Sequence, residues 1–271
     1  MTLQSQLTIP KLKNRFGTLC IFGLDFAALF VLFHAAVLLR RYVLPLFMHN
    51  LPQYHYRFGD YWWIFAVWLL IMIYEEGYSR RFAVWDEIKF VCKSAFFATV
   101  AILTMLFLMK RGQQYSRALI ITMFAMSVMF FPVIRLKAKA FLYKYGLLRR
   151  KILIVGSGDA AALAYKAITG EPNLGYEIAG FVDDTRRIKE VCGCRIHHGV
   201  ESIERYISSA AINDVVIAKP ELDKESLSQL ISTIQHKAES TLFIPDINGI
   251  AVAGTEVRNF FKAQTMVIEI N

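Results

Sequence analysis

The sequence predicts an α-helical membrane domain of four transmembrane helices over residues 1–145, followed over 146–271 by an α/β domain built on a mostly parallel sheet. Three observations predict it. The mean hydropathy is positive (+0.39), with 14% aromatic and 20% charged residues, too apolar for an ordinary soluble chain. The basic excess sits in the first part: residues 1–151 hold 20 Lys+Arg against 6 Asp+Glu, and the remainder 11 against 16. At the junction, Arg149-Arg150-Lys151 runs straight into Ile152-Leu153-Ile154-Val155-Gly156-Ser157-Gly158-Asp159, a buried-strand run closed by a glycine turn.

Four apolar stretches mark the spans: 16–39, 61–74, 90–109 and 118–134. A bilayer core takes about 20 helical residues, so the first and third are long enough, the fourth is adequate and the second is short. The second therefore spans with local thinning or forms a re-entrant or interfacial segment. Tyr61, Trp62, Trp63, Trp68, Tyr74 and Tyr78 bracket it as an interfacial aromatic belt does. The N-terminal run exceeds the apolar core of a signal peptide and shows no clear cleavage site, so it reads as a retained anchor. The N-terminal tail, the 75–89 loop with Lys93, and 135–151 carry 3, 4 and 7 Lys+Arg, against 3 in each of the two opposite loops. Positive charge on the cytoplasmic side then places both termini in the cytoplasm of a multi-pass protein. The charge is expected to meet anionic lipid and not nucleic acid.

Asp25 and His34 fall inside the first stretch. An ionisable group there is a functional candidate, because burying it costs a few kcal/mol, or it pairs within the bundle. The spans lack the internal repeats and broken helices of a transporter. Residues 78–89 mix aromatics with both charge signs and read as a short interfacial helix. Asp86-Glu87 does not form an acid/base pair, since consecutive helical residues diverge by about 100°; the expectation is a solvated, lipid-facing role.

In the second part, 151–155 is a continuous apolar strand run, and Gly156-Ser157-Gly158-Asp159-Ala160-Ala161 fits G-x-G-x-x-G/A before a helix over 160–168. Gly156 permits the tight turn, Gly158 admits a pyrophosphate, and Ala161 lets helix pack on strand, which makes the domain Rossmann-like. A second strand, 177–182, ends in Asp183-Asp184, which serve either as acceptors for a ribose hydroxyl or as a polar cap. Asp159 sets a carboxylate against an incoming phosphate and is also a good helix N-cap. Candidate cofactor-binding residues are thus Gly156, Gly158, Asp159, Ala161, Asp183 and Asp184, for a nucleotide or nucleotide-sugar. Strands over 214–218, 241–244 and 265–270 and helices around 201–210 and 224–238 complete the alternation.

Cys20, Cys92, Cys192 and Cys194 give no disulfide framework, and a reduced, cytoplasmic setting fits. Cys192, Cys194, His197 and His198 lack zinc-knuckle spacing and read as a strand edge and turn. No tyrosine has a lysine four residues on, and no G-x-S-x-G elbow occurs, so two catalytic templates fail and no catalytic or metal-binding residue is nominated.

Several blocks resemble the N-terminal part of the membrane phosphoglycosyl transferases of the undecaprenyl-phosphate galactose phosphotransferase type. They are Tyr74, Tyr78-Ser79-Arg80-Arg81-Phe82 with Trp85-Asp86-Glu87; the junction 146–158; Glu171-Pro172-Asn173-Leu174-Gly175-Tyr176-Glu177 with Gly180-Phe181-Val182-Asp183-Asp184; and Ile244-Pro245-Asp246, Gly254-Thr255-Glu256 and Phe260-Phe261. The middle block is also similar to membrane nucleotide-sugar 4,6-dehydratases and epimerases. The resemblance implies a role in exopolysaccharide or O-antigen (lipopolysaccharide) assembly at the bacterial inner membrane. It implies an accessory CoA-binding-like domain, and a magnesium-dependent catalytic domain with an Asp-Glu pair beginning after Asn271. On that reading the chain is a truncated or split transferase, inactive alone. Its partners are the lipid bilayer, a second copy in a homodimer, and a separately encoded sugar-transferase domain. A nucleotide-binding regulatory membrane protein is the alternative.

Overall fold

The computed structural model describes residues 3–47, 56, 58–110, 115–184, 190–199, 203–235, 237–244, 257–258 and 267–270. One compact unit is formed by Arg15–Leu147, the other by Leu148–Asn271 together with Met1–Asn14.

The helical unit contains α1 (Leu3–Tyr42, which begins ahead of it), the short α2 (Leu44–Phe47), α3 (Phe58–Tyr74), α4 (Val84–Leu108) and α5 (Arg117–Lys144). Among the described residues, three helical stretches are long and apolar enough to cross a membrane: Arg15–Phe47, Val84–Leu108 and Arg117–Lys144. The apolar part of α3, Gly59–Tyr74, is shorter. Three helix ends have a local cause. Ser116 caps α5 by accepting from the Leu119 N–H at 3.3 Å. α3 stops where Glu76 turns left-handed (φ 57) and the Gly77 N–H reaches back to the Met72 carbonyl at 2.9 Å. α5 stops in the same way at Gly146 (φ 69), with the Leu147 N–H on the Leu142 carbonyl at 2.9 Å. Glycine is the residue that adopts this backbone without a Cβ penalty.

Trp68, Phe65, Leu29, Met72, Ile102, Leu119 and Phe131 fill the core of the bundle, with the Trp68 and Phe131 rings edge to face at 5.9 Å. Leu19, Leu70, Phe96, Phe107, Ile121 and Val133 face outward, as hydrocarbon contact requires. Two sequence expectations are corrected here. Tyr61 and Trp68 are not part of an interfacial belt: they are 2% and 1% exposed and pack inside the bundle, while Trp62 and Tyr74 face outward. Residues 78–89 do not form a separate interfacial helix, because Val84–Lys89 are the first turns of α4 and residues 75–83 are a compact turn.

The α/β unit alternates β1 (Arg150–Val155), α6 (Asp159–Gly170), β2 (Tyr176–Val182), β3 (Glu190–Val191), β4 (Cys194–His197), α7 (Ile203–Ser209), β5 (Asp214–Ile217), α8 (Lys224–Gln235), β6 (Ser240–Phe243), β7 (Val257–Arg258) and β8 (Val267–Ile270). The sheet runs β3-β4-β2-β1-β5-β6-β8-β7. β4, β2, β1, β5 and β6 are parallel, and β3, β8 and β7 add antiparallel edges. Alternation along β1 explains the layers. Ile152 and Ile154 pack with Ala161, Ala164 and Ile168 of α6 on one face. Leu153 and Val155 pack with Ile203, Ile207 and Ile234 of α7 and α8 on the other. Arg150, counted above as a topology-setting charge, is tied into this unit at the start of β1, where it pairs with buried Asp214 at 2.9 Å and with Glu239. The segment from Pro245 to Glu256 and Phe260-Phe261, which carried part of the resemblance, lies outside the described residues.

Candidate functional site

The chain leaves β1 and runs to β2 on one side, then crosses to β5 on the other. The carboxyl ends of β1 and β5 therefore form the point where strand order reverses, the usual ligand position in such sheets. Gly156 sits there at φ +123, and a Cβ on it would lie 2.6 Å from the Ala218 carbonyl oxygen after β5. The turn is sewn to both neighbours: the Gly156 N–H donates to Val182 and the Ala218 N–H to Val155, each at 2.8 Å. Gly156 is thus required by the fold itself. Gly158 differs, since its φ of −82 suits any residue and an added Cβ would meet nothing within 4 Å.

Gly158 is the N-cap residue of α6, with no side-chain cap bond, and Asp159 occupies the first helical turn. The expectation of Asp159 as N-cap is corrected by one position. Ala161 is fully buried against β1, as the close helix–strand approach requires. Asp183, at the end of β2, is 2% exposed. It accepts from Lys219 Nζ at 2.5 Å, from the Ser157 hydroxyl and from the Asp184 N–H at 2.8 Å. Asp184 is exposed. The fold therefore brings Gly156, Gly158, Asp159, Ala161 and Asp183 to one sheet edge. It adds Ser157 and Lys219, which sequence reasoning missed. The available signal for Lys219 was its place just past the buried β5 run, at the same sheet edge as the glycine turn.

Burial alone would raise the Asp183 carboxyl, but the hydrogen bonds from Lys219 and Ser157 outweigh it and hold the group below the usual carboxylate range. A depressed folded-state pKa gives stability that is present above the unfolded value, near 3.9, and is lost as pH falls through the folded one. Asp183→Asn is accordingly expected to cost roughly 1–3 kcal/mol at pH 7. Urea unfolding across pH should show the difference from wild type shrinking below about pH 4.

A second cluster of charge lies inside the helical unit. Arg135 of α5 is 1% exposed. It donates from Nε to Glu87 Oε1 at 2.5 Å, from Nη1 to Asp25 and from Nη2 to the Gly77 carbonyl at 2.6 Å. Lys139, one turn further on, takes the other Glu87 oxygen. The rings of Tyr78 and Phe90 cover the guanidinium, with centroids 5.1 and 5.5 Å away. A Cβ on Gly77 would collide with Phe90 and lie 2.9 Å from the Met72 carbonyl, so the turn presents its carbonyl to Arg135 only as glycine. Two acids and two bases balance within the cluster. Asp25 pairs within the bundle, one of the two readings set out above. The solvated reading of Glu87 is overturned: Glu87 is fully buried, while Asp86 is half-exposed beside Lys89.

The two features define the class: a helical unit with membrane-length apolar helices, ahead of a parallel-sheet α/β unit with a Rossmann-type turn. The chain belongs to the CoA-binding domain family, whose profile matches residues 63–245. It is 24% identical over 269 residues to an uncharacterized sugar transferase of Haemophilus influenzae, covering 94% of this chain and 55% of that protein. It is 22% identical over 204 residues to an undecaprenyl-phosphate galactose phosphotransferase of Salmonella typhimurium, covering 75% and 42%. The resemblance drawn from the sequence is thereby borne out. The chain spans about half the length of these curated relatives. Among solved structures, a UDP-D-quinovosamine 4-dehydrogenase from Vibrio fischeri matches 37% of this chain and 81% of its own at 26% identity and TM-score 0.32. A Rex-family repressor bound to NADH matches 59% and 82% at 14% identity and TM-score 0.34. TM-scores this low carry nothing about function.

The family description raises coenzyme A. Among the described residues, Asp159, Asp183 and Asp184 lie at that end of the sheet with Lys219, which Asp183 already engages, and Gly158 leaves room for a phosphate at the start of α6.

Proposed function

We propose that residues 1–145 anchor, and residues 146–271 form the accessory domain of, a sugar-1-phosphate transferase acting on undecaprenyl phosphate in bacterial exopolysaccharide or O-antigen assembly. The observation that carries this reading is the match to a sugar transferase along 94% of the chain. The transfer reaction belongs to the part of the relatives' length that this chain does not match. Incubated with radiolabelled UDP-sugar, magnesium and undecaprenyl phosphate, the purified 271-residue chain is expected to give no lipid-linked product; sustained product formation would overturn the assignment. In this reading α3 is a fourth span. Its 17 residues reach about 25 Å, close to the hydrocarbon core. Both termini are cytoplasmic. With Arg135, Lys139 and Arg150 set aside as internally paired, eleven Lys+Arg still face six across the bilayer.

A second reading, a nucleotide-binding regulator of a partner transferase or of a homodimer, rests on Gly158, whose missing Cβ the fold does not demand. Its contact residues are Gly156, Gly158, Asp159, Ala161, Asp183 and Asp184. Calorimetry with UDP-sugars and NAD(H) separates the readings: heat of binding in wild type that disappears in Gly158→Ala supports the regulator, and silence at millimolar ligand removes it.

A further inference from the structure

Neither reading uses the Cys192-Gly193-Cys194 run. Its histidine neighbours are engaged elsewhere: the His197 ring lies 4.9 Å from the Tyr206 ring, and His198 Nδ1 is 3.3 Å from the Asp183 carbonyl. Among the described residues no three metal-ligating side chains converge. What remains is a pair of thiols on a tight hairpin. β3 and β4 are in register with Val191 opposite Cys194, which leaves Cys192 and Gly193 as a two-residue turn with φ 50 and 78. Both are left-handed, the pattern of a type I′ hairpin. Cys192 adopts it at a cost that glycine or asparagine would avoid.

Both thiols are free. Cys192 is exposed and Cys194 half-buried. Cα atoms two residues apart are separated by at most about 7 Å in an extended chain and by less across a turn, within the span of a disulfide. On the neighbouring helix, Tyr165 packs against the same core cluster as Cys194, and its electrostatic interaction with Cys194 first, then burial and Cys192, raises its phenol above the ordinary range. The two sulfurs and one phenol thus share a surface of the α/β unit.

We propose that Cys192 and Cys194 form a redox-active dithiol, a modification site that closes to an intrachain disulfide by exchange with a low-molecular-weight disulfide. The exposed Cys192 thiolate attacks one sulfur of the small disulfide and expels a thiolate. Cys194 then attacks the Cys192 sulfur and expels the second. One S–S bond is broken and one formed, and the two electrons and two protons of the dithiol leave on two small thiols. The ring contains one intervening residue and sits on an exposed turn, which favours a readily reduced, switch-type bond over a structural one. Its effect has a path to the candidate site: β4 pairs with β2, and the Asp183 N–H donates to the His197 carbonyl at 3.1 Å. The proposal is independent of the transferase reading.

The full chain in lipid nanodiscs, equilibrated in glutathione buffers, acid-quenched and alkylated, gives a tryptic peptide of residues 190–195 that contains both cysteines and no other. Its closed form, two hydrogens lighter and unalkylated, is expected to rise from a tenth to nine-tenths over about a 100-fold change in [GSH]²/[GSSG], as a two-electron couple requires. Cys192→Ser and Cys194→Ser should each hold a persistent glutathione adduct that wild type does not accumulate. Stable adducts on wild type, disulfides between chains, or no oxidation at the highest oxidised glutathione would each overturn the proposal.

Discussion

Arg135→Ala is expected to destabilise the helical unit by about 3–5 kcal/mol, the usual cost of removing one partner from a buried ion pair. The guanidinium joins Asp25 of α1, Glu87 of α4 and the Gly77 carbonyl after α3, so its loss takes a donor from two carboxylates and a carbonyl at once. Lys139 answers only one oxygen of Glu87. Arg135→Lys should recover part of the loss, because a single ammonium cannot reproduce three donors aimed at three elements. Removing charge in balance, with Asp25→Asn and Arg135→Gln together, should cost less than Arg135→Ala alone. The temperature at which half the detergent-purified protein stays monodisperse should fall by about 10 °C for Arg135→Ala. An unchanged temperature would show that the cluster does not hold the helices together.

Gly156→Ala and Gly158→Ala should differ by about 3 kcal/mol although they sit two residues apart. At Gly156 a side chain is left-handed at φ +123 and meets the Ala218 backbone oxygen at 2.6 Å, so β1 and β5 must part. At Gly158 the added methyl meets nothing. Hydrogen exchange read on peptides covering 152–155 and 214–217 is expected to lose about 100-fold protection in the first variant and to stay near wild type in the second. Equal losses would mean that Gly158 is also held by packing, and would remove the observation on which the nucleotide-binding reading rests.

Much of the architecture was legible because its signals are local. Long apolar runs marked α1, α4 and α5; the Ile-rich run after Lys151 marked β1; and Gly156-Ser157-Gly158 marked the strand-to-helix turn. The charged cluster was legible only in part. Asp25 in an apolar helix calls for a counter-ion, and Arg135 and Lys139, four apart on α5, share one face of a helix. Their acids lie 110 and 52 residues away in sequence, so no local pattern joins them. Glu87 was misread because its neighbour Asp86 is solvated. The same 100° divergence that rules out a shared acid/base role turns one outward and the other into the bundle. Lys219 escaped for a similar reason: its partner Asp183 is reached across the end of β1, an adjacency that only strand order creates.

The most direct test of the central claim is a paired transfer assay. The segment of the Haemophilus influenzae relative that this chain does not match is assayed in undecaprenyl-phosphate vesicles with radiolabelled UDP-sugar, alone and joined to residues 1–271. The proposed function predicts about tenfold or greater lipid-linked product for the joined protein, since residues 1–145 would then hold that segment at the vesicle surface where the undecaprenyl phosphate lies. Equal product from the two proteins would contradict it.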